Sequence, residues 1–379
     1  MAANAYYSEE IHGPHQYFDL GDFPLDSGYT LRGARLGYKT HGTLSAAKDN
    51  AVLLPHWYSA TSATMELWIG EGRPLDPARY FIVAPGQIGG GFSSSPSNTP
   101  QPFNQGAFPP ISIGDDVRAQ HRLLTEHLGI DELQLVTGLS MGGQQTYEWA
   151  VRYPSMVKRA APFAANARTP AYNTLLIDVA ETLLRSDPAW NGGFYAEMQT
   201  VDRGLRQHAL VFGLTGMCSE FYRVEAWREA GFASLDDFKR GFLEAYFLPM
   251  DPNNLLCQSR KWRHADVSRH TDGDLGKALG RITARTIVTA ISTDMFFPLE
   301  DCRQDAAMIP GAELRVIDTV WGHMAGFCVL DADRLAPTSP RGVPVRRSPS
   351  RGRPVPTATR LTSPPQGSVA GPQGRSRSR

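Results

Sequence analysis

The sequence lacks the long apolar segments of a membrane protein. No apolar run approaches the ~20 residues that a membrane-spanning helix needs. Residues 1–10 also lack the basic region and the apolar stretch of a secretory signal peptide. We therefore expect a cytoplasmic protein that does not associate with a membrane.

Cysteine is scarce, and its spacing excludes a disulfide framework or a zinc site. The chain has four cysteines, without any Cys-x-x-Cys pair: Cys218, Cys257, Cys302 and Cys328. Cysteines so far apart are typical of the reduced thiols of a cytosolic protein. No Asp, Cys or third His makes a recognisable cluster with His12 and His15, so we predict a solvated loop rather than a metal site. No element is assigned to residues 1–30.

A phosphate-binding fingerprint is also missing. The glycine-rich stretch at residues 88–95 has neither the dinucleotide-binding nor the P-loop spacing. We predict no bound cofactor and no metal.

Acidic residues and lysine are absent beyond Asp333. Nine of the 38 basic residues, all arginine, lie in residues 335–379, which leaves 29 basic against 38 acidic residues before them. We predict that this Arg-, Pro-, Ser- and Gly-rich tail is disordered. It could be an arm for nucleic acid or acidic partners, a solvated tail, or the product of a shifted reading frame or unspliced junction. We do not expect nucleic acid as a partner.

What the sequence does contain is a Gly-x-Ser-x-Gly motif between an apolar strand and a helix. Residues 133–139 form the strand, Ser140 follows between Gly138 and Gly142, and the helix runs to about residue 153. This layout is typical of a nucleophile elbow, a sharp turn that exposes the serine oxygen. The crowded turn requires glycine on both sides. The Met141 N–H lies at the helix N-terminus, where it favours a developing oxyanion.

Strands alternate with helices on both sides of the elbow, which indicates a mostly parallel sheet flanked by helices. From about residue 165 to residue 280 the alternation stops and helical spacing takes over. We predict a core in two parts, residues 1–164 and 281–334, with a helical lid inserted at 165–280 and the tail at 335–379. Six aromatic residues of the lid suit either an apolar acyl-group wall or the lid's own core: Phe221, Tyr222, Trp227, Phe242, Tyr246 and Phe247.

A serine nucleophile needs a histidine base, and the histidine needs a carboxylate. In this fold type the three follow in the order Ser, acid, His. Asp294 follows one predicted strand and His323 the next, so both should lie at the edge where ligands bind. Asp301, within a helix, and Asp318, one loop too early, are less suitable acids.

These motifs resemble the homoserine O-acetyltransferase family of α/β-hydrolases across residues 30–330. The matching segments are 36–42, 68–70, 75–81, 89–90 with Pro96, 108–109, 116–120, 138–144, 148–150, 153–154, 293–294, 297–298 and 322–323. The resemblance implies an α/β-hydrolase fold and a Ser140–Asp294–His323 triad. It also implies an oxyanion hole formed by the N–H groups of Tyr58 and Met141, and acetyl-CoA as the acyl donor. Dimers are common in this family, so a homodimer is possible.

The chain departs from the family where the acceptor would bind. Family members carry an Asp directly after the histidine, and this chain has Met324 at that position. They also carry a lid arginine, whose position we align near Ala209, so the arginine is missing here. Arg206 and Arg223 lie close by in the sequence. Because a buried amino-acid zwitterion needs both partners, we predict that homoserine is not the acceptor. The family's motif in the loop that would face the acceptor differs as well, because residues 56–60 of this chain include bulky side chains.

The family's closing helix is a further departure. Residues 329–334 begin such a helix, and then the tail composition takes over. Without that helix, we expect His323 to be held less firmly.

The sequence thus predicts an acyl-transfer enzyme that forms an acyl-Ser140 intermediate and acts on a small ester or alcohol. An esterase-like hydrolase is the first hypothesis. The alternative is an acetyl-CoA-dependent O-acyltransferase for an alcohol other than homoserine. A third is a non-catalytic binding protein, against which the intact Ser, Asp and His argue.

Overall fold

The structure is a computed structural model that describes residues 4–196 and 198–327. The predicted tail at 335–379, the start of a helix at 329–334 and Cys328 lie outside these residues. No helix in the two described ranges has the length and the apolar character needed to cross a membrane.

The centre of the fold is a mostly parallel sheet of eight strands, as the motifs predicted. The strands are β1 (Gln16–Pro24), β2 (Thr30–His41), β3 (Ala51–Leu53), β4 (Phe81–Pro85), β5 (Leu135–Leu139), β6 (Arg159–Phe163), β7 (Arg285–Ile291) and β8 (Glu313–Ile317). Their order across the sheet is β1-β2-β4-β3-β5-β6-β7-β8. The six strands β3 to β8 run parallel, whereas β2 is antiparallel to both β1 and β4. The carboxyl ends of the parallel strands therefore share one edge, where ligands bind in such sheets.

The segment before residue 30 is more ordered than its composition indicated. It contributes β1, which pairs with β2 through two register shifts around Gly21. The expected solvated loop at His12 and His15 is wrong: His15 is buried, and its ring stacks on Phe92 with centroids 3.7 Å apart. His12 meets the same ring edge-on at 5.3 Å. Both histidine rings therefore pack against one aromatic ring.

Eleven α-helices surround the sheet in the described ranges. They are α1 (Glu9–His12), α2 (Ile113–Arg122), α3 (Met141–Arg152), α4 (Ala171–Arg185), α5 (Asp202–Gly216), α6 (Ser219–Arg223), α7 (Leu235–Phe238), α8 (Ala245–Phe247), α9 (Pro252–Arg263), α10 (Leu275–Leu279) and α11 (Leu299–Met308). A π-helical turn extends α2 (Leu123–His127), and another joins α7 to α8 (Lys239–Glu244). Helices α4 to α10 lie between β6 and β7. We call residues 165–280 the helical insertion; its boundaries as a domain stay a prediction.

One buried hydrogen bond ties the helical insertion to the loop that follows β3. The Tyr58 hydroxyl lies 2.6 Å from Nε2 of His208 on α5, and His208 Nδ1 lies 3.3 Å from the Ala180 carbonyl of α4. A carbonyl only accepts, so the proton sits on Nδ1 and Nε2 accepts the Tyr58 O–H. Burial lowers the pKa of His208 to about 4, partly opposed by the bond to Ala180. His208 is therefore neutral at neutral pH.

Replacing His208 should change the pH dependence of stability. His208→Phe leaves the buried Tyr58 hydroxyl without a partner, which costs about 1–3 kcal/mol at pH 7. The pKa of His208 is lower in the folded than in the unfolded protein. As pH falls from 6.5 toward 4, the unfolded state therefore takes up a proton on His208 that the folded state does not, and the stability that this histidine contributes is lost. The stability gap between wild type and His208→Phe should therefore narrow from pH 7 to pH 5 in urea denaturation. Tyr58→Phe keeps the histidine, so the stability difference between it and wild type should not narrow. A stability difference between wild type and His208→Phe that is the same at pH 7 and pH 5 would contradict a neutral, buried His208.

Candidate active site

The elbow serine sits at the turn between β5 and α3. Ser140 has φ 59° and ψ −123°, a positive-φ conformation that costs a non-glycine residue energy and is found at functional sites. Its backbone N–H donates to the Phe163 carbonyl at 2.9 Å, which fixes the turn against the neighbouring strand β6. This conformation is the strained strand-to-helix turn of a nucleophile elbow.

Both glycines of the motif are needed for close backbone contact. A β-carbon on Gly138 would lie 2.6 Å from the Pro55 carbonyl oxygen, and one on Gly142 would clash with the same atom. Any side chain at either position would push the elbow away from the loop after β3.

Asp294 and His323 are brought together as the sequence order predicted. His323 Nδ1 lies 2.8 Å from Asp294 Oδ2, with side-chain exposures of 4% and 0%. The other carboxylate oxygen of Asp294 accepts the backbone N–H groups of Phe296 (2.7 Å) and Phe297 (3.1 Å). Each oxygen of the Asp294 carboxylate therefore has hydrogen-bond partners. The carboxylate in turn orients the imidazole of His323, whose second nitrogen, Nε2, is left free. The rival acids are elsewhere: Asp301 lies in the first turn of α11, and Asp318 accepts from Ser292 Oγ at 2.7 Å.

The loop after β3 carries Tyr58, and the preceding histidine orients its backbone. His56 is buried, and its Nδ1 lies 2.8 Å from the Trp57 carbonyl, which also accepts the Ala60 N–H at 3.1 Å. The Gln87 side chain donates to the His56 carbonyl at 2.6 Å. Because the Trp57 C=O and the Tyr58 N–H belong to one planar trans peptide, fixing the carbonyl also fixes the direction of the N–H.

Within the described ranges, the backbone N–H groups of Tyr58 and of Met141, the first residue of α3, have no hydrogen-bond partner. Unpaired donors at a helix N-terminus and a fixed loop can receive an oxyanion. They are the pair that the family resemblance implied. Its role stays a prediction.

Ser140 and His323 line the same cavity, a narrow recess that is partly open to solvent. Its wall comes from both the core and the helical insertion: Trp57, Tyr58, Ser59, Phe296, Met324 and Phe327 from the core, and Phe212, Phe242, Leu243, Tyr246, Phe247 and Trp262 from the insertion. Of the six aromatic residues predicted as wall or lid core, Phe242, Tyr246 and Phe247 line the cavity. Phe221 instead packs on Phe238 and Trp321, and Tyr222 and Trp227 pack near it.

Charged side chains are absent from the described wall of this cavity. Met324 lines it at the position after the histidine, and Ala209 is buried on α5. Arg206 pairs with Asp202 and Glu244, and Arg223 pairs with Glu220; both arginines are well exposed. Neither arginine lines the cavity, which leaves no described partner for an amino-acid carboxylate.

Sequence reasoning missed three residues that shape the site. His208 anchors Tyr58, the Phe212 ring stacks on the Tyr58 ring at 5.2 Å, and Trp262 packs on Phe296. Helical periodicity marks these side chains as buried, but it does not show which neighbour they meet.

Comparison with known proteins places this geometry in a family. A family model described as alpha/beta hydrolase fold matches residues 50–327. An ethyl acetate hydrolase of Pseudomonas veronii is 48% identical over 325 residues, which is 86% of this chain and 93% of the relative. The solved structure of an acetylester hydrolase from Corynebacterium glutamicum is 44% identical with a TM-score of 0.86, and covers 88% of this chain and 97% of that one.

Homoserine O-acetyltransferases are more distant relatives. The one of Thermobifida fusca is 32% identical over 351 residues, which is 85% of this chain and 92% of the relative. The elbow, the buried Asp–His pair and the parallel sheet agree with these similarities, and the chain belongs to the α/β-hydrolase fold family.

Proposed function

We propose that this chain hydrolyses small, uncharged carboxylic esters through an acyl-Ser140 intermediate. The observation that carries the proposal is the cavity, in which Ser140 and His323 lie under an aromatic wall without a charged side chain in the described residues. Burying an unpaired charge is costly. The site therefore favours neutral substrates.

In the proposed mechanism, Ser140 Oγ attacks the ester carbonyl while His323 Nε2 takes its proton. Asp294 holds the imidazole through Nδ1 and stabilises the imidazolium. The N–H groups of Tyr58 and Met141 receive the oxyanion. His323 then returns the proton to the leaving alcohol, and water releases the acid from Ser140 by the same steps.

The relatives support an acetyl ester as substrate. The names of the Pseudomonas veronii relative and of the Corynebacterium glutamicum structure refer to the hydrolysis of ethyl acetate and of acetyl esters. Crowded aromatic side chains around Ser140 suit a short acyl group. The alternative with acetyl-CoA as acyl donor draws support from the more distant homoserine O-acetyltransferases. The cytoplasmic location of the protein stays a prediction.

Intact-protein mass spectrometry tests the nucleophile and the donor together. Brief exposure to p-nitrophenyl acetate should add one acetyl group to the wild type and none to Ser140→Ala, whose kcat should fall by on the order of 10⁴-fold or more. Ser59→Ala removes another serine of the same cavity wall and should still gain the acetyl group. Acetylation by acetyl-CoA in preference to the ester would instead support the transferase. An adduct that persists in Ser140→Ala would refute the proposed nucleophile.

Substitution of His56 tests the oxyanion donor. His56→Leu removes the N–H that holds the Trp57 carbonyl, so kcat should fall about 10- to 100-fold with little change in KM, because the lost interaction forms only in the transition state. His56→Asn places an amide N–H near the position of Nδ1 and should recover most of the rate. Binding of a trifluoromethyl ketone, which forms the same oxyanion, should weaken in step with kcat.

The comparison between the two variants separates orientation from packing. Circular dichroism and the unfolding midpoint give the folded state of each protein. Equal loss of kcat in His56→Leu and His56→Asn, with both proteins folded, would mean that this histidine only fills space.

A further inference from the structure

A fully buried ion pair lies behind the loop after β3, outside the wall of the cavity. Lys261 Nζ, on α9, is 2.6 Å from Asp116 Oδ2, on α2, and both side chains are 0% exposed. Neither residue belongs to the described cavity wall. A buried ion pair is often no more stabilising than an apolar pair of the same volume. Stability alone therefore does not account for these two charges.

The ammonium group of Lys261 has a partner for each of its three N–H bonds. Besides Asp116, they donate to the Ile88 carbonyl at 2.8 Å and to Gln87 Oε1 at 3.2 Å. Asp116 Oδ1 in turn accepts the Ile88 N–H at 2.8 Å. The ion pair therefore holds the start of the loop after β4, both by its backbone and by the Gln87 side chain.

The contact with Lys261 decides which way the Gln87 amide faces. An ammonium group only donates, so the oxygen of the amide must face it. The amide N–H is thereby directed at the His56 carbonyl, which lies 2.6 Å from Gln87 Nε2. With the amide reversed, two oxygens would meet there, and the His56 carbonyl would lose this donor.

The His56 carbonyl belongs to the first of two peptide planes that lead to the predicted oxyanion donor. Gln87 holds this first plane. The His56 ring holds the next plane, which carries the Trp57 C=O and the Tyr58 N–H. Two fixed planes leave little freedom for the backbone angles of Trp57 between them. Burial, and in addition the charge of Lys261, lowers the pKa of His56 to about 3 against the bond to the Trp57 carbonyl, so the ring stays neutral.

We infer that Lys261 is a positioning residue for ester hydrolysis, which orients the backbone N–H of Tyr58 toward the oxyanion by acting through Gln87. This inference rests on the proposed hydrolase and its oxyanion donors. Lys261 belongs to the helical insertion, so the insertion supplies the charge that orders a loop of the core as well as part of the cavity wall. Asp116 holds that charge in place.

Removal of the ammonium group tests the inference by its separate effects on kcat and KM. Lys261→Met should lower kcat for p-nitrophenyl acetate about 10-fold and change KM by less than about twofold, because a misdirected N–H is felt mainly in the transition state. Binding of a trifluoromethyl ketone should weaken by the same factor as kcat. Rates are expressed per serine titrated with diethyl p-nitrophenyl phosphate, so unfolded protein does not contribute.

Ser259→Ala is the matched control on the same helix. It removes the 2.6 Å hydrogen bond from Ser259 Oγ on α9 to Glu181 on α4. This change loosens α9 without touching Gln87, so kcat should stay within about twofold of wild type. A loss of kcat as large as that in Lys261→Met would mean that any disturbance of α9 has this effect, and would overturn the inference.

A paired variant separates positioning from stability. Lys261→Met leaves the Asp116 carboxylate buried without its partner, which destabilises the fold. Asp116→Asn combined with Lys261→Met removes both charges, and the amide so introduced can donate to the Ile88 carbonyl that the lysine leaves. The unfolding midpoint should recover most of its loss while kcat stays about 10-fold low. Recovery of kcat together with stability would overturn the positioning role.

A double-mutant cycle tests the route through Gln87. Gln87→Leu alone should lower kcat by a similar factor, and adding Lys261→Met to it should change kcat by less than about twofold, because the two residues act in series. Losses that multiply would overturn the inference. An unchanged kcat in Lys261→Met, with acyl-Ser140 still formed, would also overturn it and leave the hydrolase intact. The absence of any acetyl adduct on Ser140 of the wild type would overturn both proposals.

Discussion

The carbonyl of Pro55 lies so close to the elbow that neither Gly138 nor Gly142 has room for a side chain. This contact between two backbones sets the distance between the serine turn and the loop after β3. Strands β3 and β5 are neighbours in the sheet, so the contact extends a pairing that begins within it. Tyr58 and Met141 can serve one oxyanion only if this distance is kept. The two glycines therefore matter for the proposed oxyanion donors as much as for the serine.

Around this contact, polar groups are held in place by other polar groups inside an apolar shell. His56 holds the Trp57 carbonyl, His208 holds the Tyr58 hydroxyl, and Asp294 holds His323. Burial lowers the pKa of His56 to about 3 and that of His208 to about 4. The rings of His56 and His208 are therefore neutral at neutral pH, and each has a defined donor and acceptor side. A site built this way is already oriented when substrate arrives, which is the main source of electrostatic stabilisation in enzymes.

The sequence predicted the fold and the residues of the candidate site because both follow from local patterns. A strand, a glycine-flanked serine and a helix define the elbow within eleven residues, and chain order points to Asp294 and His323. Strand β1 was missed because the bulge around Gly21 interrupts its alternation. The stacking of His15 on Phe92 depends on residues distant in the chain. Periodicity likewise cannot separate Phe221, which fills the helical insertion, from Phe247, which faces the cavity.

The histidine is delivered by the last strand of the described sheet. Strand β8 pairs only with β7, and its residues are half-buried or exposed. The serine, in contrast, follows β5, which has a strand on each side. Strands at an edge open at a lower free-energy cost than central ones. We therefore expect heat or denaturant to separate His323 from Asp294 before the sheet melts, so that the proposed activity is lost under milder conditions than the secondary structure.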